Sequence, residues 1–372
     1  MSAAVPGTPG TRWRWALFGV LVVVALVVPQ SLAPEAVNRL SEVMWVAVAA
    51  LGLALLTGFN GQISLGHGAF LGLGAYITMI LTVDYNQSFL VAGIVALLAA
   101  FLLGVAVGLP ALRITGVYLA LVTLGLATLF PQLVIRLGDI TGGSVGRQLL
   151  PREGYGDTAL LEEVGRRRFL SEAGFRAPGW TGLADDQWRY YVFLVLAIVV
   201  FLLVRNLTRS RVGRGLVAIR DNETAAEVAG VSVDRYKVVT FGLSAAIAAL
   251  GGWMFAVLNN QVSPTSFTIA LSITLLVAAV LGGAASIVGP VLGAMVVVLL
   301  REAVPAESQR YSQVIFGVVL IVVMLVAPGG IVGIYRKVEA WIRRKRGPGR
   351  GSTDAATTAS PDHLNPTQPQ EA

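Results

Sequence analysis

Polar side chains are concentrated in one glycine-rich stretch, residues 58–76, of an otherwise apolar region. Its side chains could hydrogen-bond a polar molecule, and they are Asn60, Gln62, Ser64 and His67. Polar groups are expensive within a lipid bilayer and tend to face a cavity. The glycines alone fit simple helix packing, through the small-residue spacing Gly68-x-x-x-Gly72. For His67 taken alone, a hydrogen-bonded structural role is the simpler interpretation.

The uncharged run Val238–Leu300 is interrupted at two places that are costly in lipid. The first interruption combines polar residues with proline and contains Asn259, Gln261 and Ser263. The second is a helix break with Gly282, Gly283, Gly289 and Pro290. Short segments interrupted by glycine or proline often mark a transport pathway. We therefore predict that the breaks at 58–67, 259–264 and 282–290 line or hinge one path.

A third stretch, between the hydrophobic segments, predicts a short helix with a small surface. Thr224-x-x-Glu227 has the spacing of a capping box, and Gly230 is a predicted C-terminal stop. A short alanine-rich helix of this kind could dock in a groove of another protein. It could equally lie on lipid headgroups, which its arginine residues would favour. The spacing does not separate these two interpretations.

Composition excludes several kinds of chemistry. The chain has no cysteine, and its two histidines, His67 and His363, are too few for a metal site of their own. None of the three lysines stands in a Gly-Lys-Ser/Thr phosphate loop. We therefore expect no catalytic residues, no metal and no cofactor bound by this chain. The net charge of +7 is better explained by membrane orientation than by nucleic acid.

Most of the chain is apolar enough to lie in a lipid bilayer. Hydrophobic residues make up 55% of it and charged residues only 13%, and seven uncharged runs contain 214 of the 372 residues. A membrane-spanning helix needs about 20 mostly apolar residues. The runs, divided at their breaks, predict an all-α polytopic membrane protein with about ten hydrophobic segments. The last two segments of the run Val238–Leu300 are short, and they could form a re-entrant pair with eight full crossings around it.

The distribution of basic residues predicts the orientation. The loop 205–237 and the tail after Ile334 each carry seven basic and four acidic residues, whereas 136–189 carries eight of each. The positive-inside rule places the loop, the tail and the N-terminus in the cytoplasm. Ten crossings, or eight with a re-entrant pair, satisfy all three placements.

These predictions divide the chain into three parts. Residues 1–14 form a cytoplasmic N-terminus, residues 15–335 a transmembrane domain, and residues 336–372 a basic and then disordered cytoplasmic tail. Within the transmembrane domain, 137–188 is an external segment and 205–237 a cytoplasmic coupling loop.

Six collinear motifs resemble the permease family of branched-chain amino acid ABC transporters, on the LivM-like side of its LivH/LivM pair. They lie within Val43–Tyr335 and are Gly58–His67, Arg113–Leu124, Thr141–Gly143, Gly213–Gly230, Val288–Gly293 and Pro328–Gly333. Each motif is weak alone, and their shared order makes the match specific.

The resemblance implies a division of labour between subunits. An EAA-like loop would dock on an ATPase subunit, through Arg214, Arg220, Glu223, Ala225, Ala226 and Gly230. Thr224 interrupts the usual Glu-Ala-Ala order. ATP would be hydrolysed by cytoplasmic ABC ATPase subunits, beside a second LivH-like permease subunit and an extracytoplasmic solute-binding protein. The expected location is the bacterial plasma (inner) membrane.

Three other functions remain open. The same family includes permeases for urea and short amides, so the solute is less certain than the family. An ion-coupled secondary transporter would need no ATPase, but such proteins commonly carry titratable groups within the membrane. His67 is the sole candidate in the uncharged runs, tyrosines aside. A membrane scaffold would explain the glycines and leave the polar breaks unexplained.

Overall fold

The computed structural model describes residues 29–112, 116–149 and 175–303, with isolated positions at 25, 27, 317–318 and 330–333. The first and last predicted hydrophobic segments, the termini 1–14 and 336–372, and residues 150–174 of the external segment lie wholly or largely outside these ranges. No structure is assigned to them below.

The described part is a bundle of α-helices with one short ladder. The helices are α1 Pro34–Ala54, α2 His67–Val83, α3 Phe89–Ala111, α4 Val117–Arg136, α5 Gly138–Thr141, α6 Asp185–Arg209, α7 Arg211–Asp221, α8 Glu223–Val228, α9 Val233–Asn259, α10 Ile269–Gly282 and α11 Gly289–Ala303. A π-turn, Leu55–Phe59, continues α1, and a 3-10 turn, Pro264–Phe267, precedes α10. Strands β1 Arg147–Gln148 and β2 Gln261–Val262 pair in antiparallel register.

The helices have the lengths and composition of a multi-pass membrane protein. Within the described ranges, five are long and apolar enough to cross a bilayer, and α2, α10 and α11 are shorter apolar helices. Eight of the ten predicted segments are therefore helices. The number of full crossings and the side on which the termini lie stay predictions.

Helices extend beyond the uncharged runs from which they were predicted. The helix α1 begins at Pro34 rather than Val43 and so includes Glu35, Arg39 and Glu42. Charged side chains are tolerated there because the end of a span can lie outside the hydrocarbon. The helix α6 likewise continues past Arg189 and Arg205 at its two ends.

The helices α9 and α1 form the centre of the bundle. About 78% of the apolar window of α9 and 72% of that of α1 is buried, against 17% to 33% for α3, α4 and α6. The peripheral helices therefore present most of their surface to lipid or to another subunit.

Close packing of α3 on α9 depends on small residues at every fourth position of α3. These are Ala92, Ala96, Ala100, Gly104 and Gly108, all buried. A Cβ at Gly104 would lie 2.6 Å from the Cβ of Ala245 on α9, so no larger side chain fits. Small residues at this spacing let two backbones approach, which is a main source of helix association in membranes.

The two ends of α9 define the two sides of the bundle. At 27 residues, α9 is about 40 Å long. The helices α7 and α8 precede its first residue, and we call that end the coupling side. Strand β2 follows its last residue, and we call that end the far side. There β1 joins the external segment to β2, and the Arg147 Nη2 lies 3.0 Å from the Asp84 carboxylate.

Candidate functional site

The chain between the π-turn and α2, residues 60–66, is a helix break inside the bundle, and we call it the junction. His67 follows it and is 1% exposed. The Ser244 hydroxyl donates to the Gly52 carbonyl oxygen over 2.6 Å. It must therefore accept the hydrogen of His67 Nε2, which lies 2.7 Å away.

This assignment fixes the other ring nitrogen of His67. With the proton on Nε2, the Nδ1 accepts from the Ser64 hydroxyl, 3.3 Å away. The Ser64 oxygen in turn accepts the Gly66 N–H over 3.3 Å. The neutral imidazole thus has both nitrogens hydrogen-bonded within the protein. That arrangement supports the structural interpretation of His67.

Hydroxyls from two other helices satisfy further backbone groups at the junction. The Leu65 N–H donates to Thr123 Oγ1 of α4 over 2.9 Å. The Gly68 N–H, in the first turn of α2, donates to Ser272 Oγ of α10 over 2.9 Å. A break at membrane depth is stable only when such groups are paired inside the protein. The junction therefore depends on α4, α9 and α10 together.

Asn60 and Gln62 are also buried at the junction, at 2% and 6% exposure. The Asn60 Nδ2 donates to Gln62 Oε1 over 3.1 Å, while the Asn60 Oδ1 has no partner among the described residues. The four polar side chains predicted in this stretch therefore form two hydrogen-bonded pairs, Asn60 with Gln62 and Ser64 with His67. None of them is exposed in this conformation.

The coupling loop and the break 282–290 both touch the chain that leads into the junction. The Arg220 Nη1, at the end of α7, donates to the Gly58 carbonyl oxygen over 2.9 Å. A Cβ at Gly58 would collide with the carbonyl oxygen of Ala284. Gly61 has a φ of +74° and lies against the Arg220 side chain. Two of the three predicted breaks thus meet on the coupling side.

The break 282–290 turns the chain between α10 and α11. Gly283 has a φ of +113°, a conformation that L side chains rarely adopt. A Cβ at Gly282 would collide with the carbonyl group of Gly289, and Pro290 follows in the first turn of α11. These small residues let two short apolar helices pack as a hairpin, which is the geometry of a re-entrant pair or of two short crossings.

The third break, 259–264, lies apart from the other two, on the far side. Gln261 belongs to the β-ladder and is exposed, as is Asn259. The Asn259 Nδ2 donates back to the Phe255 carbonyl oxygen over 2.9 Å, and the Ser263 hydroxyl lies 2.9 Å from that of Thr265. The predicted path residues thus fall into two groups, one that contacts the middle of α9 through Ser244 and one that follows its last residue.

The predicted capping box of α8 is wrong. The N-cap is Asn222, whose side-chain oxygen accepts the Ala225 N–H over 3.0 Å. Asparagine caps helices at least as well as threonine, so the helix begins before Thr224 and includes it. At the other end, Gly230 has a φ of +85°, and the Val231 N–H donates to the Ala226 carbonyl oxygen over 3.0 Å. The predicted stop is therefore a Schellman motif.

Sequence reasoning missed α7, the other helix of the coupling loop. Its N-cap is Ser210, whose hydroxyl accepts the Val212 N–H over 3.1 Å. A serine before a run with Gly213 and Gly215 is a usable helix-start signal, but the two glycines weaken a helix prediction. Arg214 lies exposed on this helix.

The side chains of α8 divide between the bundle and solvent. Ala226 is 3% exposed and packs inward, whereas Ala225 is exposed and Val228 is 87% exposed. Ala226 is therefore not available to a partner, although the docking prediction included it. Sequence reasoning did not include Val228 in the docking surface, because the residues that a helix exposes depend on the residue at which it begins.

An ion pair fixes α8 to the central helix. The Lys237 Nζ of α9 lies 2.6 Å from the Glu223 carboxylate. The Lys237 side chain is buried and that of Glu223 is half exposed. The buried ammonium group is therefore paired with a carboxylate at the surface of the bundle. A groove of about 510 Å³ lies between α8 and the start of α9, lined in part by Glu227 and Gly230.

An aromatic cluster joins four helices near the far-side break. Phe267, in the 3-10 turn, has ring centroids 5.3 Å from Phe255, 5.8 Å from Tyr76 and 6.2 Å from Phe130. Trp45 of α1 extends the cluster, 5.4 Å from Phe255. The cluster could not be read from spacing because each ring comes from a different element.

Among the described residues, no group of three or more His, Asp or Glu side chains could hold a metal ion. The chemistry that the site offers is hydrogen bonding and packing.

Comparison with known proteins gives one family. A family model described as the branched-chain amino acid transport system permease component matches residues 36–324. The high-affinity branched-chain amino acid transport system permease protein LivM of Escherichia coli K12 is 32% identical over 343 residues, 89% of this chain and 78% of that protein. The corresponding LivH of Salmonella typhimurium is 25% identical over 299 residues, 77% of this chain and 91% of that protein.

A permease for another class of solute is also similar. The ribose import permease protein RbsC of Escherichia coli K12 is 26% identical over 329 residues, which cover 83% of this chain and 92% of that protein. No solved structure matches the chain.

Proposed function

The chain belongs to the family of branched-chain amino acid transport permease components, and from this premise we propose how it works in an importer. It is a membrane-spanning subunit that forms part of the translocation path. Separate cytoplasmic ABC ATPase subunits bind and hydrolyse ATP. Their movement reaches the path through α7 and α8.

The contact of Arg220 with Gly58 carries this proposal. The guanidinium joins the end of α7 to the backbone immediately before the junction, with a separation of 2.9 Å. The 2.6 Å ion pair of Lys237 with Glu223 joins α8 to α9. A displacement of the two surface helices would therefore act on both the junction and the central helix.

The docking surface on this subunit consists of the exposed residues of α7 and α8. Arg214 and Ala225 are exposed as a docking role requires, and Val228 adds an apolar side chain that is 87% exposed. Glu223 and Arg220 position the two helices, Ala226 packs α8 inward, and Gly230 ends it. This surface lies in the cytoplasm of a bacterium, at its inner membrane.

The complete importer contains further proteins. A second, LivH-like permease subunit forms the rest of the path, and an extracytoplasmic solute-binding protein delivers the solute. The solute is a branched-chain or related amino acid, which the similarity to LivM supports. Urea and short amides are the alternative within the same family, and the similarity to RbsC makes ribose a useful comparison solute.

Reconstitution into proteoliposomes tests the function. We expect the permease pair to import radiolabelled leucine only when the ATPase subunits, ATP and the binding protein are present. Urea and ribose serve as the other solutes, and import of either instead of leucine would contradict the amino acid assignment. Leucine import without nucleotide would contradict ATP coupling and favour an ion-coupled transporter.

Co-purification tests the docking surface. Val228→Asp puts a charge into the proposed contact, and we expect the ATPase subunits to be lost from the purified permease pair. Val145→Asp is the matched control, because Val145 is 64% exposed and lies beside β1 on the far side. Retention of the ATPase by Val228→Asp would contradict the assignment of this surface.

A further inference from the structure

The helix α4 has one buried face that connects the two ends of the bundle. Its buried side chains recur at helical spacing and are Thr123, Ala127, Phe130 and Val134. Thr123 accepts the Leu65 N–H at the junction, over 2.9 Å. Phe130 packs on Phe267 next to the far-side break, with ring centroids 6.2 Å apart. One helix therefore borders both groups of predicted path residues.

The opposite face of α4 is exposed and partly polar. Its residues recur at spacings of three and four and are Tyr118, Leu121, Gly125, Thr128 and Gln132. A Cβ at Gly125 would have no neighbour within 4 Å. Among the described residues, the Gln132 amide makes no hydrogen bond. We call these five residues the open face of α4.

The hydroxyl of Thr128 is satisfied only in part. It donates to the backbone, with the Gly125 carbonyl oxygen 2.9 Å away, and its oxygen remains free to accept. Thr128 lies near the middle of α4, where the surroundings of a spanning helix are most apolar. A free acceptor at this depth favours a polar surrounding, and the free amide of Gln132 lies one turn further along the same face, near the end of α4.

The exposed faces of the other peripheral helices differ from the open face of α4. Between the ends of α3, the strongly exposed side chains are aliphatic, as at Leu90, Ile94, Leu98 and Leu102. On α6, between Arg189 and Arg205, they are Val195, Ile198, Val199, Leu202 and Leu203, and an exposed amide, Asn206, occurs only near the helix end. Aliphatic faces of this kind suit lipid, which pairs no polar group. The amide and hydroxyl therefore distinguish α4 from the helices that contact lipid.

We propose that the open face of α4 lines the aqueous translocation path and contacts the solute through Gln132 and Thr128. The Gln132 amide both donates and accepts, so it can pair with the carboxylate and the ammonium group of a zwitterionic amino acid. Leu121 and Leu129 flank these groups and offer apolar contact to an aliphatic side chain. This assignment rests on the proposed function for the nature of the solute.

The helix α4 contacts the bundle at two places, and these correspond to the two ends of the proposed path. The buried face holds the junction through Thr123 and the far-side aromatic cluster through Phe130. A tilt of α4 would therefore change the open face and both ends together.

Because the chain contains no cysteine, single-cysteine labelling tests the proposal without background. The variants are Gly125→Cys, Thr128→Cys and Gln132→Cys, with Leu98→Cys on α3 and Val199→Cys on α6 as matched controls. Each is assembled with its partner subunits in proteoliposomes and treated with a charged, membrane-impermeant maleimide. Partner subunits are used in cysteine-free form. A single symmetric peak in size-exclusion chromatography in detergent identifies the variants that fold. Because three positions on α4 are tested, the comparison can still be made if one variant does not fold.

We expect the α4 cysteines to label at least ten-fold faster than both controls, because maleimide reacts with a thiolate that forms in water and not in lipid. Excess leucine should slow labelling at Thr128→Cys and Gln132→Cys. Labelling of the α4 cysteines at the control rate would overturn the proposal. So would water-accessible cysteines with no leucine protection at either position.

The result is separable from the proposed function. Labelling measures access to water and needs no uptake. If uptake proves independent of nucleotide while the α4 cysteines still label fast, ATP coupling fails and the path assignment stands. If coupled uptake is measured and the α4 cysteines stay unlabelled, the path assignment fails and the function stands.

Discussion

The junction and the far-side break interrupt helices in the same bundle, yet they satisfy their polar groups differently. At the junction, side chains from α4, α9 and α10 pair with the backbone, and Asn60, Gln62, Ser64 and His67 are buried. At the far side, a two-residue β-ladder pairs the backbone, and Asn259 and Gln261 remain exposed.

This difference shows that the side chains of the junction belong to the packed interior, whereas the exposed side chains of the far-side break do not. A backbone ladder needs no particular side chains, so the exposed residues Asn259 and Gln261 can change at little cost. Hydroxyl and imidazole groups at the junction have defined partners, and each removal leaves a buried group without one. Substitutions should therefore act strongly at the buried residues of the junction and weakly at Asn259 and Gln261.

The largest effect should come from Gly58→Val. The added side chain would collide with the carbonyl group of Ala284, and two backbones would have to separate. We expect more than about 4 kcal/mol of destabilisation, above the usual range for overpacking, or loss of the folded protein. Thermal unfolding of the detergent-purified permease pair measures it. Gly125→Ala is the control, because a Cβ there meets nothing within 4 Å, and an equal loss in both variants would contradict the packed junction.

The next effect should come from His67→Ala. It removes the hydrogen bonds to Ser64 and Ser244 and leaves a cavity, so the free energy of unfolding should fall by about 2–4 kcal/mol. A double-mutant cycle with Ser244→Ala should give a coupling energy of about 0.5–3 kcal/mol. Strictly additive effects would show that the two residues do not act through their shared hydrogen bond.

A smaller effect on stability should accompany Arg220→Ala. About a third of this side chain is exposed, so losing its bond to Gly58 should cost only about 1 kcal/mol. Leucine uptake per ATP hydrolysed should fall by more than the amount of folded protein does. The control Arg176→Ala removes an exposed charge outside α7 and α8 and should leave that ratio unchanged. A parallel fall in both variants would refute a specific role of Arg220 in coupling.

The smallest effect should come from Gln261→Ala. The backbone of Gln261 keeps its ladder with Gln148, and its side chain is exposed, so we expect a change in the free energy of unfolding within about 0.5 kcal/mol. Thermal unfolding under the conditions used for His67→Ala provides the comparison. A loss as large as that of His67→Ala would abolish the distinction between the two breaks.

Much of the architecture could be predicted from hydrophobic runs and their interruptions. The six collinear motifs predicted the family, which is confirmed by the match over residues 36–324. The breaks at 259–264 and 282–290 also fall between helices as predicted. Such features are local, because glycine, proline and polar residues end a membrane helix wherever they occur.

Other features depend on contacts between distant residues. Nothing near His67 in the sequence points to Ser244, and nothing near Gly58 points to Arg220. Predicting that Ala226 is buried and Val228 exposed would have required the correct first residue of α8. The helix begins earlier than predicted because Asn222 is its N-cap. The predicted path residues were treated as one group because sequence spacing does not show which part of α9 each of them contacts.

The π-turn Leu55–Phe59 has a consequence for insertions and deletions. A π-turn contains one more residue than the α-helical turn it replaces. Deleting a single residue there would close the turn to α-helical geometry and move the backbone of Leu55–Phe59 itself, while the helix before it would keep its orientation. Gly58 would then no longer face Ala284, and the Arg220 hydrogen bond would lose its acceptor. The length of the chain at this turn is therefore as constrained as its composition.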